Sequence, residues 1–363
     1  PELIKAKRLG LKIYSYPEFL YEKSKHKTRV VIGGSHGKTT ITSMILHVMN
    51  YNGKAVDYMV GAQLEGFDRM VHLTDENDFI VLEGDEYLSS PVDRRPKFHL
   101  YKPNIALLSG IAWDHVNVFP TFENYLEQFK IFVDSIIKGG SITYNEEDVN
   151  VKNIVEASVN SIRKLPYTTP DFFIENGQTF INTGEGPLPL NIFGRHNLNN
   201  LAGAKWICQN MGVDEEGFYE AISSFKGASK RLEKIGENEN TIIFKDYAHS
   251  PSKVAATTGA VKEQFPGRKL IACLELHTYS SLNAEFIKEY KGSLKKADVS
   301  AVFYIPDSLK IKGLDEITEQ QIGQAFQQEE IHIFTNSAAF KEFLFNQDVA
   351  NSVILFMSSG DYG

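Results

Sequence analysis

Short apolar runs alternate with amphipathic stretches along most of the chain. The runs have the length of buried strands, and the stretches between them carry apolar residues at helical spacing. Such alternation is typical of β-α units stacked around a mostly parallel sheet, whose strands are covered on both faces. The pattern therefore predicts the α/β fold class.

Two series of such units are predicted, separated by a polar linker at 225–239. In the first series, the predicted strands are 29–33, 55–61, 79–83, 104–109 and 141–144, and the predicted helices are 38–51, 121–137, one that begins at Asn197, and 215–225. Turn residues at 161–190 predict a layer of β-hairpins. In the second series, the predicted strands are 241–245, 269–274, 299–305, 331–334 and 352–357, and the predicted helices are 251–264, 283–296, 317–328 and 338–346. The second series predicts a doubly wound domain.

The composition excludes several classes of protein. The 363 residues carry 38 Lys and Arg against 46 Asp and Glu, and the net charge of −8 argues against a general nucleic-acid binder, which needs a basic surface. No apolar run reaches the roughly 20 residues that span a bilayer. Cys208 and Cys273 have no partners at metal-ligand spacing, which fits buried thiols in a reducing compartment. We predict a cytoplasmic protein without nucleic-acid or membrane partners.

A glycine-rich segment follows the first predicted strand and opens the first predicted helix. It reads Gly33-Gly34-Ser35-His36-Gly37-Lys38-Thr39-Thr40. Glycines let the backbone wrap an anion, and the N–H groups at a helix N-terminus attract phosphate. As in the P-loop pattern, which has a slightly longer loop, Lys38 would neutralise phosphate charge and the Thr39 hydroxyl would bind Mg²⁺. The segment predicts a site for the phosphates of a nucleotide.

Three carboxylates stand at the carboxyl end of the predicted strand 79–83: Glu83, Asp85 and Glu86. Ligands in open α/β sheets bind beyond the carboxyl ends of strands, so a carboxylate there can hold the Mg²⁺ that Thr39 also contacts. Acidic residues also form turns at strand ends, and this interpretation stays open. His115 lies past the next predicted strand, which we expect to neighbour the other two. Glu83 and His115 are therefore candidate metal ligands.

Six motifs, in order along the chain, resemble those of the Mur ligases. They are Gly34-Ser35-His36-Gly37-Lys38-Thr39, Glu83-Gly84-Asp85-Glu86, Asp114-His115, Gly194-Arg195-His196-Asn197-Leu198-Asn199-Asn200, Lys230-Arg231-Leu232-Glu233 and Asp246-Tyr247-Ala248-His249-Ser250-Pro251. The resemblance extends over essentially the whole chain. It implies an ATP-dependent enzyme that forms amide bonds in bacterial peptidoglycan metabolism.

The resemblance also implies a domain organisation. Mur ligases have an N-terminal UDP-binding domain, a central P-loop ATPase domain with a mostly parallel sheet, and a C-terminal Rossmann-like domain. By this resemblance, 1–27 is a remnant of the first domain with a helix and a strand at 10–14, 28–231 is the central ATP-binding domain, and 232–363 is the C-terminal ligase domain. Because the chain begins at Pro1 and stops at a Gly-rich turn, we expect residues to be missing at both ends.

His36 in the phosphate loop resembles the family members that use UDP-N-acetylmuramate. One such member adds L-alanine during synthesis, and the murein peptide ligase adds the tripeptide L-Ala-γ-D-Glu-meso-diaminopimelate during recycling. The segments 85–87 and 93–98 resemble the recycling enzyme, whereas 276–281 departs from the alanine-adding pattern, in which His-x-Tyr is followed by Thr-Arg-Thr. We therefore favour the tripeptide as the amine substrate, with L-alanine as the alternative.

The resemblance further implies a mechanism and a set of site residues. The lactyl carboxylate of UDP-N-acetylmuramate attacks the γ-phosphate of ATP, and the amine of an amino acid or peptide then attacks the acyl phosphate. The implied ATP contacts are Gly34, Ser35, His36, Gly37, Lys38, Thr39, Thr40, Asn197, Asn200, Arg231 and Asp246. The implied catalytic residues are Lys38, Glu83, His115 and Arg231, the implied Mg²⁺ ligands are Thr39, Glu83 and His115, and the implied substrate contacts are His196 and His249. From the residues alone, the two Asn also fit helix capping, and Arg231 also fits a solvated linker charge.

Two departures from the family pattern affect this site. Gly110-Ile111-Ala112 stands where the family usually has Asn-x-Glu, and Ser250 stands in place of a second His. Nothing in the sequence marks a general base for the amine, and His249 is a guess. For the carboxylates of the tripeptide, we hypothesise Lys310 or Lys312 as a partner.

Two other classes of protein remain open at this point. A P-loop kinase or GTPase shares the phosphate loop but has no need of Asn197, Asn200 and Arg231. A nucleotide-binding regulatory protein without catalysis has no need of an intact set of Lys38, Glu83 and His115. We expect a monomer or a weak dimer.

Overall fold

The computed structural model describes residues 2–63, 66–328, 330–360 and 362, and the chain divides into two compact units. The first unit comprises 1–111, 121–168 and 203–215, and the second comprises 112–120, 169–202 and 216–363. The limits of these two units differ from the predicted domain boundary after residue 231. Pro1 and Gly363, the outer ends of the predicted domains, lie outside the described residues, and the domain limits stay a prediction.

The first unit is built on a seven-stranded sheet. Its strands are β1 (Thr28–Gly33), β2 (Asp57–Met59), β3 (Val71–His72), β4 (Phe79–Gly84), β5 (Ile105–Leu108), β6 (Ser141–Asn145) and β7 (Arg163–Tyr167). The strand order is β3-β2-β4-β1-β5-β6-β7, and every neighbouring pair is parallel except β2 and β3. Val30, Val31 and Ile32 are fully buried, so both faces of β1 are covered, as a central parallel strand requires.

Helices flank this sheet. They are α1 (Glu2–Arg8), α2 (Tyr16–Ser24), α3 (Lys38–Tyr51), α4 (Phe122–Asp134) and α5 (Val149–Ala157), with a 3₁₀ helix at Lys97–Leu100. Helix α4 buries Tyr125, Phe129, Phe132 and Val133, which recur on one face at helical spacing. Helix α6 (Arg195–Asn210) contributes its first residues to the second unit and its last residues to the first.

The second unit contains two sheets. A three-stranded antiparallel sheet has the order β10-β9-β8 and consists of β8 (Phe172–Glu175), β9 (Gln178–Thr183) and β10 (Gly186–Leu190). The strands of the larger sheet are β11 (Glu233–Glu237), β12 (Thr241–Asp246), β13 (Lys269–Glu275), β14 (Val299–Phe303), β15 (His332–Phe334) and β16 (Ser352–Met357). Their order is β11-β12-β16-β13-β14-β15, and only β11 is antiparallel to its neighbour.

The larger sheet is covered on both faces. Its helices are α8 (Pro251–Gln264), α9 (Pro306–Lys312), α10 (Glu319–Phe326) and α11 (Ser337–Phe345), with a 3₁₀ helix at Phe286–Tyr290, and α7 (Glu215–Ser223) precedes the sheet along the chain. Side chains alternate along β13, so that Leu270 and Leu274 join one core cluster while Ile271 and Cys273 join another. The predicted fold class, with a P-loop type sheet and a Rossmann-like doubly wound sheet, is confirmed.

Several predicted elements are wrong. Residues 10–14 form no strand, since among the described residues no other strand pairs with them, and Leu11 is exposed. The predicted linker 225–239 contains β11, whose charged residues are typical of a protected sheet edge rather than of a linker. In the predicted helix 283–296, only Phe286–Tyr290 is helical, and Gly292 adopts a φ of 66° that interrupts a helix.

Two boundaries also differ from the prediction. Of the predicted hairpin layer 161–190, β7 pairs in parallel with β6 in the first sheet, and only β8 to β10 form the antiparallel layer. Helix α6 begins at Arg195, earlier than the predicted Asn197. Of the helices that the structure describes, none is both long enough and apolar enough to span a bilayer.

Candidate functional site

The phosphate loop joins β1 to α3 and is shaped by two glycines. Gly34 has a φ of 136° and Gly37 a φ of 79°, both in the region that favours glycine. A Cβ on Gly34 would lie 2.1 Å from Ser109 Oγ, so only glycine allows the loop to approach the end of β5 this closely. The backbone N–H of Ser35 donates to the Gly110 carbonyl at 2.9 Å. The loop is therefore fixed against the segment that follows β5.

Lys38, the first residue of α3, supplies a positive charge at this loop. Its Nζ donates to the Gly34 carbonyl at 2.6 Å and to Glu86 Oε2 at 2.5 Å. Burial lowers the pKa of Lys38, but neighbouring carboxylates, with Glu86 first, outweigh this effect and hold the pKa above the ordinary 10.5. Lys38 thus stays protonated, with its ammonium group at the loop.

A hydrogen-bonded chain runs behind the loop through Tyr125, which is fully buried on α4. The Tyr125 hydroxyl donates to Glu86 Oε1 at 3.1 Å and lies 2.9 Å from Ser35 Oγ. It therefore connects Ser35 to the carboxylate that holds Lys38. The sequence analysis did not identify Tyr125, because an aromatic residue on the buried face of an amphipathic helix has the pattern of a core residue.

Thr39 and Glu83 form a pair of oxygen donors beside the loop. Thr39 Oγ1 donates to Glu83 Oε1 at 2.8 Å, and the backbone N–H of Gly61 donates to Glu83 Oε2 at 2.8 Å. Both side chains are buried, and Thr40 is buried next to them on α3. A hydroxyl and a carboxylate are hard ligands of the kind that Mg²⁺ prefers. The donor set therefore fits this ion.

The glycine at position 110, where the family usually has Asn, has a steric explanation. A Cβ on Gly110 would lie 2.3 Å from Cε1 of His36 and 3.3 Å from Asp148 Oδ2. Asp148 in turn accepts a hydrogen bond from the Ile111 N–H at 2.8 Å. Glycine at 110 thus leaves room for the His36 ring, and Asp148 holds the backbone that follows.

His115 belongs to the second compact unit. It has a φ of 55°, and its carbonyl accepts hydrogen bonds from Val118 N at 2.8 Å and Phe119 N at 2.9 Å, which closes a tight turn. Within the described ranges, no group of three or more His, Cys, Asp or Glu side chains is arranged to hold a metal ion. The predicted role of His115 as a metal ligand stays a prediction.

Asp114, in the second unit, is a buried carboxylate among polar groups. Its Oδ1 accepts a hydrogen bond from His115 N at 2.7 Å, while its Oδ2 lies 3.7 Å from Lys253 Nζ and 3.9 Å from His249 Nε2. Burial raises the pKa of Asp114, but the charge of Lys253, with His115 and the hydrogen bond from its N–H, outweighs this effect, and the pKa lies below 3.8. Asp114 is therefore negatively charged at neutral pH.

His249 is held as a neutral imidazole. Its Nδ1 lies 2.7 Å from the Tyr247 carbonyl, and its own carbonyl accepts a hydrogen bond from the Tyr290 hydroxyl. Burial, with the charge of Lys253, holds the pKa of His249 well below its ordinary 6.5. Since a carbonyl only accepts, Nδ1 carries the proton and Nε2 presents a lone pair.

Asp246 ends β12 and lies close to Arg231. The Asp246 carboxylate accepts hydrogen bonds from Ala248 N at 2.6 Å and from Thr257 Oγ1 at 3.4 Å. Burial raises the pKa of Asp246 above 3.8, although Arg231 opposes the shift. The half-buried Arg231 guanidinium lies 4.6 Å from the centre of the Tyr247 ring, a cation–π contact.

Asn197 and Asn200 lie in the first two turns of α6, and both are buried. Asn197 Nδ2 donates to the Phe193 carbonyl at 2.9 Å. In that contact the side chain acts as a donor, whereas a helix N-cap accepts from N–H groups, so the contact does not support the capping interpretation. The His196 ring lies over Gly194, where a Cβ would come within 3.1 Å of its Cε1. Contacts of these residues with ATP or the sugar substrate stay a prediction.

Comparison with known proteins gives two family models and several relatives. The Mur ligase middle domain matches residues 32–208, and the Mur ligase glutamate ligase domain matches residues 230–360. A UDP-N-acetylmuramate--L-alanine ligase of Caldicellulosiruptor bescii is 32% identical over 318 residues, which cover 82% of this chain and 66% of that protein. The chain thus spans about two thirds of the length of this relative.

Solved structures show the same fold. The UDP-N-acetylmuramate-alanine ligase of Thermotoga maritima has a TM-score of 0.71 at 19% identity, over 100% of this chain and 79% of that one. The murein peptide ligase of Psychrobacter arcticus has a TM-score of 0.66 at 22% identity, over 99% of this chain and 80% of that one. At these identities the two structures do not distinguish between the two amine substrates.

The prediction of the tripeptide as amine substrate is wrong. Curated relatives at 27–32% identity carry the name UDP-N-acetylmuramate--L-alanine ligase, which supports the alternative. The residues that favoured recycling form ion pairs in the first unit: Glu86 with Lys38, Asp85 with Lys97, and Asp93 with Arg95. The Glu86–Lys38 pair lies at the phosphate loop, and the other two pairs lie in the segment that follows β4.

The hypothesis that Lys310 or Lys312 pairs with the carboxylates of the tripeptide depends on that substrate and is withdrawn with it. Lys310 is exposed on α9, where its Nζ lies 3.2 Å from Asp307. Both matching models describe domains of a ligase, as the predicted enzyme class requires, and together they account for most of the chain. The chain belongs to the Mur ligase family and carries its middle domain and its glutamate ligase domain.

Proposed function

We propose that the protein joins the lactyl carboxylate of UDP-N-acetylmuramate to the amine of L-alanine at the expense of ATP. The phosphate loop carries this proposal, because its glycine-shaped backbone, protonated Lys38 and the Thr39–Glu83 pair together suit a Mg²⁺-bound triphosphate. The names of the curated relatives supply the two other substrates.

The reaction proceeds in two steps. A carboxylate oxygen of UDP-N-acetylmuramate attacks the γ-phosphorus of ATP, so that an acyl phosphate forms and ADP leaves. The amine of L-alanine, after loss of a proton from its ammonium form, attacks the acyl carbon, and phosphate leaves as the amide forms. Such chemistry depends on positioning and on neutralised charge more than on covalent protein chemistry.

Residues of the first unit act on the triphosphate. The loop N–H groups orient the phosphates, and the Lys38 ammonium neutralises charge that develops on the β- and γ-phosphate oxygens. Thr39 and Glu83 would hold Mg²⁺, with His115 as a proposed ligand of a second ion. When bound, Mg²⁺ supplies further charge neutralisation at the phosphate oxygens.

Residues of the second unit are proposed as further contacts of the substrates. Asn197, Asn200, Arg231 and Asp246 are proposed contacts of ATP, and His196 and His249 are proposed contacts of the two other substrates. Nε2 of His249 is unprotonated at neutral pH, although the lowered pKa also makes this imidazole a weak base. We place this reaction in the cytoplasm, where ATP is available.

The test is product formation with defined substrates. The protein is incubated with ATP, Mg²⁺, UDP-N-acetylmuramate and L-alanine, and the alanyl product and released phosphate are measured. We expect phosphate release only when both acceptor and amine are present, which excludes a kinase, a GTPase and a protein without catalysis. Lys38→Met should abolish the product, whereas Lys138→Met, at an exposed surface position, should not. Product with the tripeptide but none with L-alanine would contradict the proposal.

A further inference from the structure

We propose that His277 accepts a proton from the amine of the incoming amino acid and that Glu275 positions its imidazole. This inference rests on the proposed function, because it assigns a catalytic residue to the step that forms the amide. Both residues belong to the second unit, in which Glu275 ends β13 and His277 follows two residues later. Glu275 Oε1 lies 3.7 Å from His277 Nδ1.

Strand register brings Glu275 to the edge of the larger sheet where ligands are expected. Strands β13 and β16 are parallel neighbours, and their last paired residues are Leu274 and Met357. Glu275 and Ser358 come directly after that pair, at the carboxyl ends of the two strands. In open α/β sheets, ligands bind beyond the carboxyl ends of the strands. Glu275 and His277 are therefore placed where this sheet can receive a substrate.

One oxygen of the Glu275 carboxylate holds the segment that follows β16. Glu275 Oε2 accepts hydrogen bonds from the Ser358 hydroxyl and from the N–H of Tyr362, the latter at 3.1 Å. The Ser358 hydroxyl in turn accepts from the N–H of Gly360 at 2.7 Å. A Cβ on Gly360 would lie 2.9 Å from Glu275 Oε2 and 3.0 Å from His277 Nδ1, so glycine lets this segment pack against both side chains. The carboxylate therefore has a fixed orientation, with Oε1 toward the imidazole.

The hydrogen bonds to this segment do not by themselves require a carboxylate. The Glu275 side chain is only 2% exposed, and a carboxylate loses hydration energy when it is buried. A glutamine would accept the same hydrogen bonds through its amide oxygen at a smaller cost. A buried carboxylate is favoured where a neighbouring group carries positive charge, and the imidazole of His277 lies beside Oε1. The carboxylate at position 275 therefore suits a histidine that gains a proton.

Glu275 also determines which nitrogen of His277 is available. A carboxylate oxygen only accepts hydrogen bonds, so Nδ1, which lies beside it, carries the proton and Nε2 keeps a lone pair. The distance of 3.7 Å is longer than a direct hydrogen bond, and such catalytic contacts commonly tighten when substrate binds. The His277 side chain is 44% exposed, whereas His249 is buried. His277 is therefore the more accessible proton acceptor of the two.

The proposed proton transfer accompanies the second step of the reaction. The nitrogen of L-alanine forms a bond to the acyl carbon, the bond from that carbon to the phosphate oxygen breaks, and phosphate leaves with the electron pair. One proton of the nitrogen moves to Nε2 of His277, and the Glu275 carboxylate balances the charge of the imidazolium. The imidazolium then releases its proton to solvent, to which the side chain is open.

The experiment separates the two steps of the reaction in single turnovers. ADP formation reports the acyl phosphate, and the alanyl product reports attack by the amine. The variants are His277→Ala and Glu275→Gln, with His332→Ala and Glu342→Gln as matched controls at exposed positions of the same unit. Each protein is measured over a range of L-alanine concentrations, with and without added imidazole, and its melting temperature is compared with that of the wild type.

We expect His277→Ala to slow amide formation at saturating L-alanine about 100-fold, the size of general base catalysis. The rate of ADP formation should stay within about twofold of the wild type. Added imidazole should restore part of the lost rate, because it can accept the proton in place of the side chain. Glu275→Gln keeps the hydrogen bonds to the segment after β16 and should slow amide formation about tenfold. The two control variants should behave as the wild type.

An unchanged rate of amide formation in His277→Ala would overturn the inference. A raised KM for L-alanine with an unchanged rate at saturation would overturn it too, and would assign His277 to binding alone. Equal losses in both steps, without rescue by imidazole, would also overturn it, because a structural role affects both steps alike. A wild type that forms ADP but no alanyl product would overturn the proposed function itself, which distinguishes the two failures.

Discussion

The hydroxyl of Thr39 donates a 2.8 Å hydrogen bond to the carboxylate of Glu83, although the two residues are far apart in sequence. Parallel pairing of β1 and β4 sets Ile32 opposite Glu83, so the end of β4 lies beside the loop that follows β1. The pair is thus a consequence of strand register. It places two hard oxygen donors side by side at the phosphate loop.

Glu83→Gln tests this pair directly. The amide keeps the size of the side chain but removes the charge that attracts Mg²⁺, so we expect ligation to fall about 100-fold, or about 2.7 kcal/mol. A high Mg²⁺ concentration should restore part of the lost ligation activity. Thr39→Ser keeps a hydroxyl and serves as the control, with activity within about fivefold of the wild type. Equal activity of Glu83→Gln and wild type across a Mg²⁺ titration would contradict the assignment.

Tyr125→Phe tests the hydrogen-bonded chain behind the loop. It removes one hydroxyl that contacts both Glu86 and Ser35 and leaves the buried ring in place. We expect a loss of about 1–3 kcal/mol in unfolding free energy, measured by urea denaturation, because a buried polar partner is left unsatisfied. The affinity for ATP should fall as well, because the Tyr125 hydroxyl no longer connects Ser35 to the carboxylate that pairs with Lys38. Phe129→Leu, on the same helix face, is the control and should affect stability without a comparable effect on ATP affinity.

Gly34→Ala tests the close approach of the loop to Ser109. The new Cβ would meet Ser109 Oγ at 2.1 Å and would also require a φ of 136°. Gly186→Ala is a matched control, because its φ is 116° and a Cβ there meets no atom within 4 Å. Both variants should lose about 1 kcal/mol or more of stability from backbone strain. Only Gly34→Ala should lose ATP binding in calorimetry, and similar ATP affinities for the two variants would contradict the account of the loop.

Asp57 gives a prediction for how the stability of the fold depends on pH. It is fully buried and accepts hydrogen bonds from Lys27 Nζ at 2.7 Å, from Thr74 and from Asn77. Burial raises the pKa of Asp57, but these hydrogen bonds outweigh it, and the folded pKa lies below the ordinary 3.8. A depressed carboxyl pKa stabilises the fold above the unfolded pKa, and this stabilisation is lost as the pH falls through the folded value.

The expected result is a pH-dependent cost of Asp57→Asn. Unfolding free energies from urea denaturation should differ from the wild type by about 3 kcal/mol at pH 6, since a buried ion pair loses one partner. The difference should shrink steadily below about pH 4. Asp75→Asn, at an exposed position, should show no such trend. A difference that is constant from pH 6 to pH 3 would show that the carboxylate charge does not stabilise the fold.

Elements that are buried and regular could be predicted from the sequence, and polar or irregular ones could not. Helices α3 and α8 and strand β16 agree residue for residue with the prediction, because apolar spacing determines them. Strand β11 was predicted as a linker, because charges protect a sheet edge and its pairing with β12 is not visible locally. The helix predicted at 283–296 has regular spacing, but the helical part ends at Tyr290, and both Lys291 and Gly292 adopt other conformations.

The residues of the candidate site also differ in whether local sequence or tertiary contacts determine their position. The position of Lys38 and Thr39 at the start of α3 could be predicted because the loop is one contiguous segment, while their roles toward ATP and Mg²⁺ stay a prediction. Tyr125 could not, because its role depends on a contact between α4 and the loop. Asp85 and Glu86 entered the substrate prediction through a resemblance in sequence, whereas their ion pairs with Lys97 and Lys38 depend on the tertiary structure.

Isotope transfer from the carboxylate of UDP-N-acetylmuramate tests the proposed reaction most directly. The substrate is labelled with ¹⁸O in its lactyl carboxylate and incubated with the protein, ATP, Mg²⁺ and L-alanine, and the released phosphate is analysed by mass spectrometry. Activation as an acyl phosphate predicts one ¹⁸O atom in each phosphate released, in step with the alanyl product. Phosphate that forms without ¹⁸O, or without the alanyl product, would contradict the account.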